Sequence, residues 1–472
     1  MLLSLLLVPV AAALVAFNLR SARLRWLVLL AGALAHSGVV VLLLVGGEPP
    51  AVGWLRLDAL GLLFLSITSF VFLLVTVYVG AQRHEGLGQP ERTFTGCLLL
   101  FLAAMTLVTL SQHLGLIWVA VEATTLASAP LIYHHRSARS LEAAWKYLVL
   151  CSVGIAIALL GTFLLALAGE GLPDPLLLPA LLASAERLHP ALLQAAFIFL
   201  LVGYGTKVGL APLHTWLPDA HSEAPSPVSA LLSGALLNTA FLALLRVWQV
   251  ASAAGLGDFA GRLLVFFGLA SLAVAAAFIV GQRDYKRMLA YSSVEHMGIL
   301  ALGVGLAGAA SYGAMLHALN HSLAKALLFM VAGNILIAYG SKDIAEVRGV
   351  TRRLPWSGTL WIVGFLAIAG SPPFGLFMSE LVILRETLAQ GRVLLAVLYL
   401  GLLAAVFVGL AASFLRMAHG PATRPAAATR ERWQAVAPPS ILAVAVLLLG
   451  TYIPAPVAEL LRRAAALLGG AP

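Results

Sequence analysis

Apolar runs separated by short polar loops occupy almost the whole chain. A helix crossing the hydrocarbon core of a bilayer needs about 20 mostly apolar residues. Runs of that order cover 2–19, 26–45, 57–80, 93–110, 113–132, 140–168, 191–213, 228–252, 259–281, 284–306, 311–339, 356–390, 392–417 and 436–461. They predict an all-α polytopic membrane protein with about 14 transmembrane helices. The first run has the apolar centre of a signal peptide but no basic segment ahead of it, and it reads as a retained first span. The twelfth run holds 35 residues. As one helix it would measure about 52 Å at 1.5 Å per residue, against a hydrocarbon core of about 30 Å. Gly370, Ser371, Pro372 and Pro373 fall near its middle, so a discontinuous helix is expected there.

Composition narrows the class. Only 10% of residues are charged and 61% are hydrophobic, where soluble domains carry about 25% charged residues. No polar stretch is long enough for a separate soluble domain. Cys97 and Cys151 both sit in apolar runs and read as small core residues, with no spacing for a disulfide framework, a metal site or an iron–sulfur cluster. No phosphate loop or nucleophile constellation occurs, so no cofactor is expected. The net charge of +9 is spread over short loops, which argues for membrane topology and against nucleic acid. Alternate loops hold 18 basic residues, among them Arg83, Lys286, Arg424 and Arg430, and 8, among them Arg246. The richer side is expected to be cytoplasmic, with both termini outside. Three of the 29 basic residues remain, and all three lie within spans: Lys146, Lys207 and Lys325.

A basic side chain at a helix centre costs about 2.5–3.5 kcal/mol on insertion scales. These lysines therefore need carboxylates or water. Glu122, Glu295 and Glu380 are the acids within spans, and Glu142 stands one turn before Lys146 as a local pair. Spans four to eight offer Glu122, Lys146, then Lys207 five residues before the helix-breaking Pro212. Spans nine to thirteen offer Glu295, Lys325, then Glu380 beyond Pro372 and Pro373. The same order repeated over five spans predicts two inverted five-helix repeats, each with a discontinuous helix. The expected organisation is an N-terminal three-helix segment (1–92), a first repeat (93–252), a second repeat (253–417), and a linker with a final span (418–472).

His317, His321 and Lys325 are spaced by four and share one helix face. Two histidines one turn apart suit zinc. No third ligand is evident in sequence, however, and the adjoining lysine would repel a cation, so a proton relay is the better expectation. Tyr312, Asn320 and Ser322 are placed to help hold water there. Elsewhere Asp58 reads as a solvated outer helix end. Asp219, His221 and Glu223 read as loop lining, and Glu85, Glu91, Asp284 and Asp343 as ordinary loop charges. Trp54 and Trp356 read as interface anchors, and the glycines of 303–308 as helix-packing positions.

Lys207 followed by PLHTWLPDAHSEAPSPVSAL (212–231) resembles the antiporter-like proton-pumping subunits of respiratory complex I and its relatives. The resemblance continues through 284–300, 317–334 and 370–380, and covers about 57–417. AAWKYLVLCSVGIA, SSVEHMG, and SGALLN after PVSALL resemble component F of hydrogenase-4-type complexes. By that resemblance a central hydrated axis falls on Glu122, Lys146, Lys207, Lys325 and Glu380. This chain departs from the complex I pattern in carrying Ser233 where histidine is usual, and Glu295-His296 where Ser-Gln is usual. The route between half-channels is therefore expected to use other side chains.

The expected mechanism is proton translocation by switching ion pairs. Glu122 beside Lys207 favours the charged lysine, and pairing of Glu122 with Lys146 instead would release the Lys207 proton. Lys325, His321 and Glu380 would form the second half-channel, with Glu295, His296 and His317 beside them. The resemblance implies lipid and other membrane subunits, antiporter-like ones included, as partners. It also implies a peripheral driver, either nickel–iron and iron–sulfur subunits or a soluble inorganic-carbon-hydrating protein. The competing expectation is a structural membrane anchor with a vestigial polar axis.

Overall fold

The computed structural model describes residues 1–47, 49–82, 91–421 and 431–470. Arg83, Arg424 and Arg430 of the loop count, and Glu85, lie outside them. The described residues are helical throughout, with isolated β-bridges only. The N-terminal helices are α1 (Leu2–Asn18), α2 (Ala22–Gly46), α3 (Ala59–Gln82) and α4 (Arg92–Leu110). Next come α5 (Leu114–Ile132), α6 (Ala138–Ala168), α7 (Leu178–Ala183), α8 (Pro190–Val208) and α9 (Trp216–Glu223). The centre holds α10 (Ser226–Leu231), α11 (Leu237–Ala253), α12 (Gly257–Ile279), α13 (Tyr285–Leu306) and α14 (Ala309–Tyr339). The chain ends with α15 (Val350–Arg353), α16 (Pro355–Ile368), α17 (Gly375–Ala389), α18 (Val393–His419), α19 (Trp433–Thr451) and α20 (Ala455–Ala466).

Twelve of the described helices are long and apolar enough to cross a membrane, counting Ser226–Ala253 as one; α1 and α16 are shorter apolar helices. The last apolar run differs from expectation. Pro454 separates α19 from α20, whose Leu461, Ala464 and Ala465 pack inward while Arg462 pairs with Glu459 on the exposed side. Tryptophan and glutamine side chains of α11 hold the residues just after α20: Trp248 and Gln249 donate to the Leu468 and Leu467 carbonyls at 3.2 and 3.1 Å.

Burial sorts the helices. The α10–α11 segment and α13 are buried along their apolar windows, and α14 is mostly so. The outer helices α1, α2, α6 and α18 expose Leu, Val and Phe along one side, as lipid-facing helices do. Close helix approach fixes the positions of the polar side chains. A Cβ at Gly203 of α8 would lie 2.6 Å from the Gly154 carbonyl of α6, so these two helices meet backbone to backbone beside Lys207. Gly305, one of the glycines assigned to packing, meets α12 in the same way, its Cβ position 2.7 Å from the Gly261 carbonyl.

Both expected breaks are present, and the first starts earlier than Pro212. Helix α8 stops at Val208 because Gly209 takes a left-handed conformation (φ 82°) and the Leu210 N–H returns to the Gly205 carbonyl. The indole of Trp216 donates at 2.7 Å to the Thr206 carbonyl, which also accepts from the Gly209 N–H at 3.2 Å, and the chain resumes as α9. Asp219, His221 and Glu223 are therefore helical residues rather than loop lining. The second break runs from Ala369 to Phe374, with Gly370 at φ 59°. A third irregularity had no counterpart in the sequence reading. Residues Leu232–Leu236, including Ser233, form a π-helical turn between α10 and α11.

Two further expectations are corrected. Arg246, counted among outer-loop charges, is fully buried in α11. Asp58 is no solvated end, since its two oxygens accept from Arg246 Nη1 and Nη2 at 2.6 and 2.8 Å. Lys286, counted as a loop charge, is also fully buried, and its ammonium donates to the Ala224 carbonyl at 2.5 Å, closing the C-terminus of α9. Removing one partner of a buried pair strands the other charge, at a cost of about 3–5 kcal/mol. Asp58→Ala is expected to lower the thermal unfolding midpoint in detergent, and the double variant Asp58→Ala/Arg246→Leu to recover most of the loss, read as a double-mutant cycle.

Candidate functional site: two buried lysine centres

Lys207 is the penultimate residue of α8 and is fully buried. Its Nζ donates to Thr125 Oγ1 at 2.9 Å and to Tyr147 OH at 2.6 Å. It also stands 4.6 Å from the centroid of the Tyr147 ring. The direction of the hydroxyl chain can be read from its end. Ser128 Oγ donates to the Thr124 carbonyl at 2.6 Å, which can only accept. Ser128 therefore accepts from Tyr147 at 2.7 Å, leaving the phenol oxygen's lone pairs for Lys207. Glu122 accepts from Thr125 Oγ1 at 3.2 Å and from Ser152 Oγ at 2.7 Å. Glu122 and Lys207 are thus joined through the Thr125 hydroxyl, without a direct ion pair.

Lys146 lies elsewhere. It is half-exposed, with Nζ 2.6 Å from Glu142 and 3.1 Å from Asp219. Asp219 also pairs with Arg287 of α13 through its other oxygen. These side chains line a charged cavity of about 280 Å³ together with Arg139 and Glu223. The expected Glu142–Lys146 pair is formed, but the alternative Glu122–Lys146 pairing is not. Ser152, which holds Glu122, stands six residues along α6 from Lys146, or about 9 Å of helix. Asp219 and Arg287 supply the contacts that the sequence reading missed.

The second centre is carried by α13, α14 and α17. Lys325 is fully buried, and its Nζ donates to the Leu289 carbonyl at 2.8 Å. The same carbonyl accepts from Ser293 Oγ at 3.2 Å, and Ser293 bonds Ser233 of the π turn at 2.8 Å. Asn238, one turn beyond, donates to Ser322 Oγ at 2.5 Å and to the Ala318 carbonyl at 3.0 Å. The π turn and the first turn of α11 therefore tie α13 and α14 respectively, at the position where this sequence departs from the complex I pattern.

The histidines pair across helices, not along α14. His296 Nδ1 lies 2.9 Å from His317 Nε2, and His317 Nδ1 lies 2.9 Å from Ser379 Oγ. His321 keeps both ring nitrogens unpartnered, 5.2 Å from His296 between ring centroids. Glu295 sits beside His296, with 3.9 Å from Oε2 to Nε2, and accepts from Ser292 Oγ at 3.3 Å. Glu380 stands with His296 and His317 rather than with His321; one ligand atom from each of the three lies within 4.8 Å of the others. The expectation that no third ligand lies near His317 is therefore overturned. Of the expected water-holding residues, Asn320 keeps its Oδ1 free while its amide donates to the Leu316 carbonyl at 2.9 Å.

Comparison with known proteins follows this geometry. A sequence profile described as "NADH:quinone oxidoreductase/Mrp antiporter, TM" matches residues 111–407, a stretch that contains both lysine centres. The chain is 40% identical over 393 residues to a "Hydrogenase-4 component F homolog" of Methylacidiphilum infernorum, covering 81% of this chain and 82% of that protein. It is 30% identical over 363 residues to "Hydrogenase-4 component B" of Escherichia coli K12, covering 73% of this chain and 52% of that protein. Its fold superposes on a chain of an archaeal membrane-bound sulfane sulfur reductase with a TM-score of 0.89, at 22% identity, over 99% of this chain and 98% of that chain.

Tyr147 was not found from sequence, although it neighbours Lys146 inside a quoted motif. Removing its hydroxyl deprives Lys207 of an acceptor and Ser128 of a donor. A buried hydrogen bond to a charged group contributes about 1.5–3 kcal/mol. Tyr147→Phe is expected to destabilise the protein by about that amount, measured as thermal unfolding in nanodiscs. An unchanged midpoint would mean that Lys207 does not depend on this contact.

Proposed function

The chain belongs to the NADH:quinone oxidoreductase/Mrp antiporter transmembrane family, and on that premise we propose that it is the proton-translocating membrane subunit of a redox-driven, multi-subunit complex of the membrane-bound hydrogenase or formate hydrogenlyase type. One observation carries the reading. Two fully buried lysines, Lys207 and Lys325, sit in separate polar centres, each with carboxylates close by but held off from direct pairing. An ammonium locked in a tight ion pair is a static tie, whereas one whose carboxylate is reached through a hydroxyl has a path for its proton. In the first half-channel Lys207 passes its proton by way of Thr125 to Glu122. Lys146, with Glu142 and Asp219, governs access from the charged cavity. In the second half, Lys325, Glu295, His296, His317, His321 and Glu380 form the relay, and Ser233 and Ser293 couple the π turn to Lys325.

The organisation that goes with this function has fourteen spans, with spans four to eight (93–252) and nine to thirteen (253–417) as inverted repeats around the two centres. Residues 1–92 form an N-terminal three-helix segment, residues 418–472 a linker and final span, and both termini face outward. Pro212, Pro372 and Pro373 mark the breaks that let water reach Lys207 and Glu380. The partners are other membrane subunits, antiporter-like ones among them, and peripheral nickel–iron and iron–sulfur proteins that supply the energy. A second reading, cation/proton exchange, is supported by the family's inclusion of Mrp antiporters; proton flux coupled to an inorganic-carbon-hydrating protein is the other driver to be tested. Subunits co-migrating with the native assembly separate these drivers.

Lys207→Ala and Lys325→Ala should each reduce proton translocation by the reconstituted complex to background, with the assembly intact by native electrophoresis. Wild-type translocation in either variant would refute the assignment.

A further inference from the structure

We propose that His296, His317 and Glu380 form a binding site for one borderline transition-metal ion, with Zn²⁺ the natural occupant by its ligand chemistry. The proposal concerns metal binding alone and does not rest on the transport reading. The three ligands come from α13, α14 and α17, and converge to within 4.8 Å of one another. Tetrahedral zinc with bonds of about 2.0–2.1 Å holds its ligand atoms about 3.3 Å apart. His296 Nδ1 and His317 Nε2 are already 2.9 Å apart. Only the carboxylate has to close in, by a change of its side-chain rotamer toward the two imidazoles. Glu380 borders a cavity of about 280 Å³, and Gly370 lacks the Cβ that would collide with its carboxylate.

The surroundings are those of a metal site's outer shell. Ser379 Oγ donates to the Leu376 carbonyl at 2.7 Å, so it accepts from His317 Nδ1–H and leaves the Nε2 lone pair for a ligand. His296 Nε2 is buried without a hydrogen-bond partner, and the nearest carboxylate oxygen is that of Glu295, at 3.9 Å. With the His296 proton on Nε2, Nδ1 becomes the second ligand, and closure of Glu295 from 3.9 Å to hydrogen-bond distance would complete a carboxylate–histidine–metal arrangement. Glu295 and Glu380 together balance a divalent charge, which a low-dielectric site requires.

The lysine that spoke against a cation in the sequence makes no hydrogen bond or ion pair with the three ligands, although its charge is felt at His296 and Glu295. His321, its neighbour in spacing, is not among the ligands. His317 precedes Lys325 by eight residues, about 12 Å along α14, and the Lys325 ammonium is turned to the Leu289 carbonyl. Two imidazoles and one carboxylate select zinc, cobalt, nickel or copper over magnesium and calcium, which prefer all-oxygen sites. The fourth position is left for water.

The test uses untagged full-length protein in nanodiscs, stripped with chelator and titrated with Co²⁺. The visible spectrum is recorded, followed by displacement with Zn²⁺ and metal analysis. Expected are one Co²⁺ per chain with the intense bands of four-coordinate nitrogen and oxygen ligation, and their loss on adding Zn²⁺. His317→Gln and Glu380→Gln should abolish the bands. Ser379→Ala should weaken binding about 10–100-fold, as loss of an outer-shell partner does. Lys146→Ala should bind like wild type. Absence of stoichiometric binding by the wild-type protein, a weak six-coordinate spectrum, or bands that survive in monodisperse His317→Gln would each overturn the site.

Discussion

A charge inside a bilayer has no solvent to fall back on, so every buried lysine and arginine here must be satisfied by the protein itself. The protein meets this requirement in two ways. Arg246 is closed off by a bidentate contact with Asp58, which precedes α3 and lies 188 residues away in sequence. Lys286 is spent on the last carbonyls of α9. Each is held by direct contacts to protein acceptors. Lys207 and Lys325 are held instead by hydroxyls and one backbone carbonyl, with their carboxylates a step removed. The contrast separates charges tied directly to a carboxylate or a helix end from the two charges to which the proposed translocation is assigned.

Helix irregularities create the spaces in which those charges sit. Gly209 ends α8 two residues after Lys207, and Trp216 adds a second donor to the Thr206 carbonyl, so the lysine sits at a buried break whose backbone is satisfied. The Ala369–Phe374 break provides Gly370, whose missing side chain accommodates Glu380. The π turn at Leu232–Leu236 shifts Ser233 into register with Ser293, and Asn238 then reaches α14. Each device relieves a backbone cost and opens a polar position in the same few residues.

Sequence periodicity revealed the helical class, the two breaks and the lysines, because a basic residue in an apolar run is visible against its neighbours. It misplaced Arg246 and Lys286 for a physical reason. Near a span end, hydropathy cannot distinguish a solvated side chain from one buried against a distant helix. Asp58 was misread in the same way. Thr125, Tyr147 and Ser128 escaped because hydroxyls are ordinary in membrane helices, and only the Lys207 ammonium makes them informative. The histidines were found, but spacing by four pairs residues along one helix, whereas His317 pairs with His296 across a helix interface. The π turn leaves no mark in hydrophobic pattern.

The account depends most on the single hydroxyl between Lys207 and Glu122. The decisive measurement is proton translocation by the reconstituted complex carrying Thr125→Val, which keeps the side-chain volume and removes the hydroxyl, alongside Thr125→Ser, which restores it. The account predicts background translocation in the valine variant and substantial recovery with serine. Wild-type translocation by a fully assembled Thr125→Val complex would contradict it.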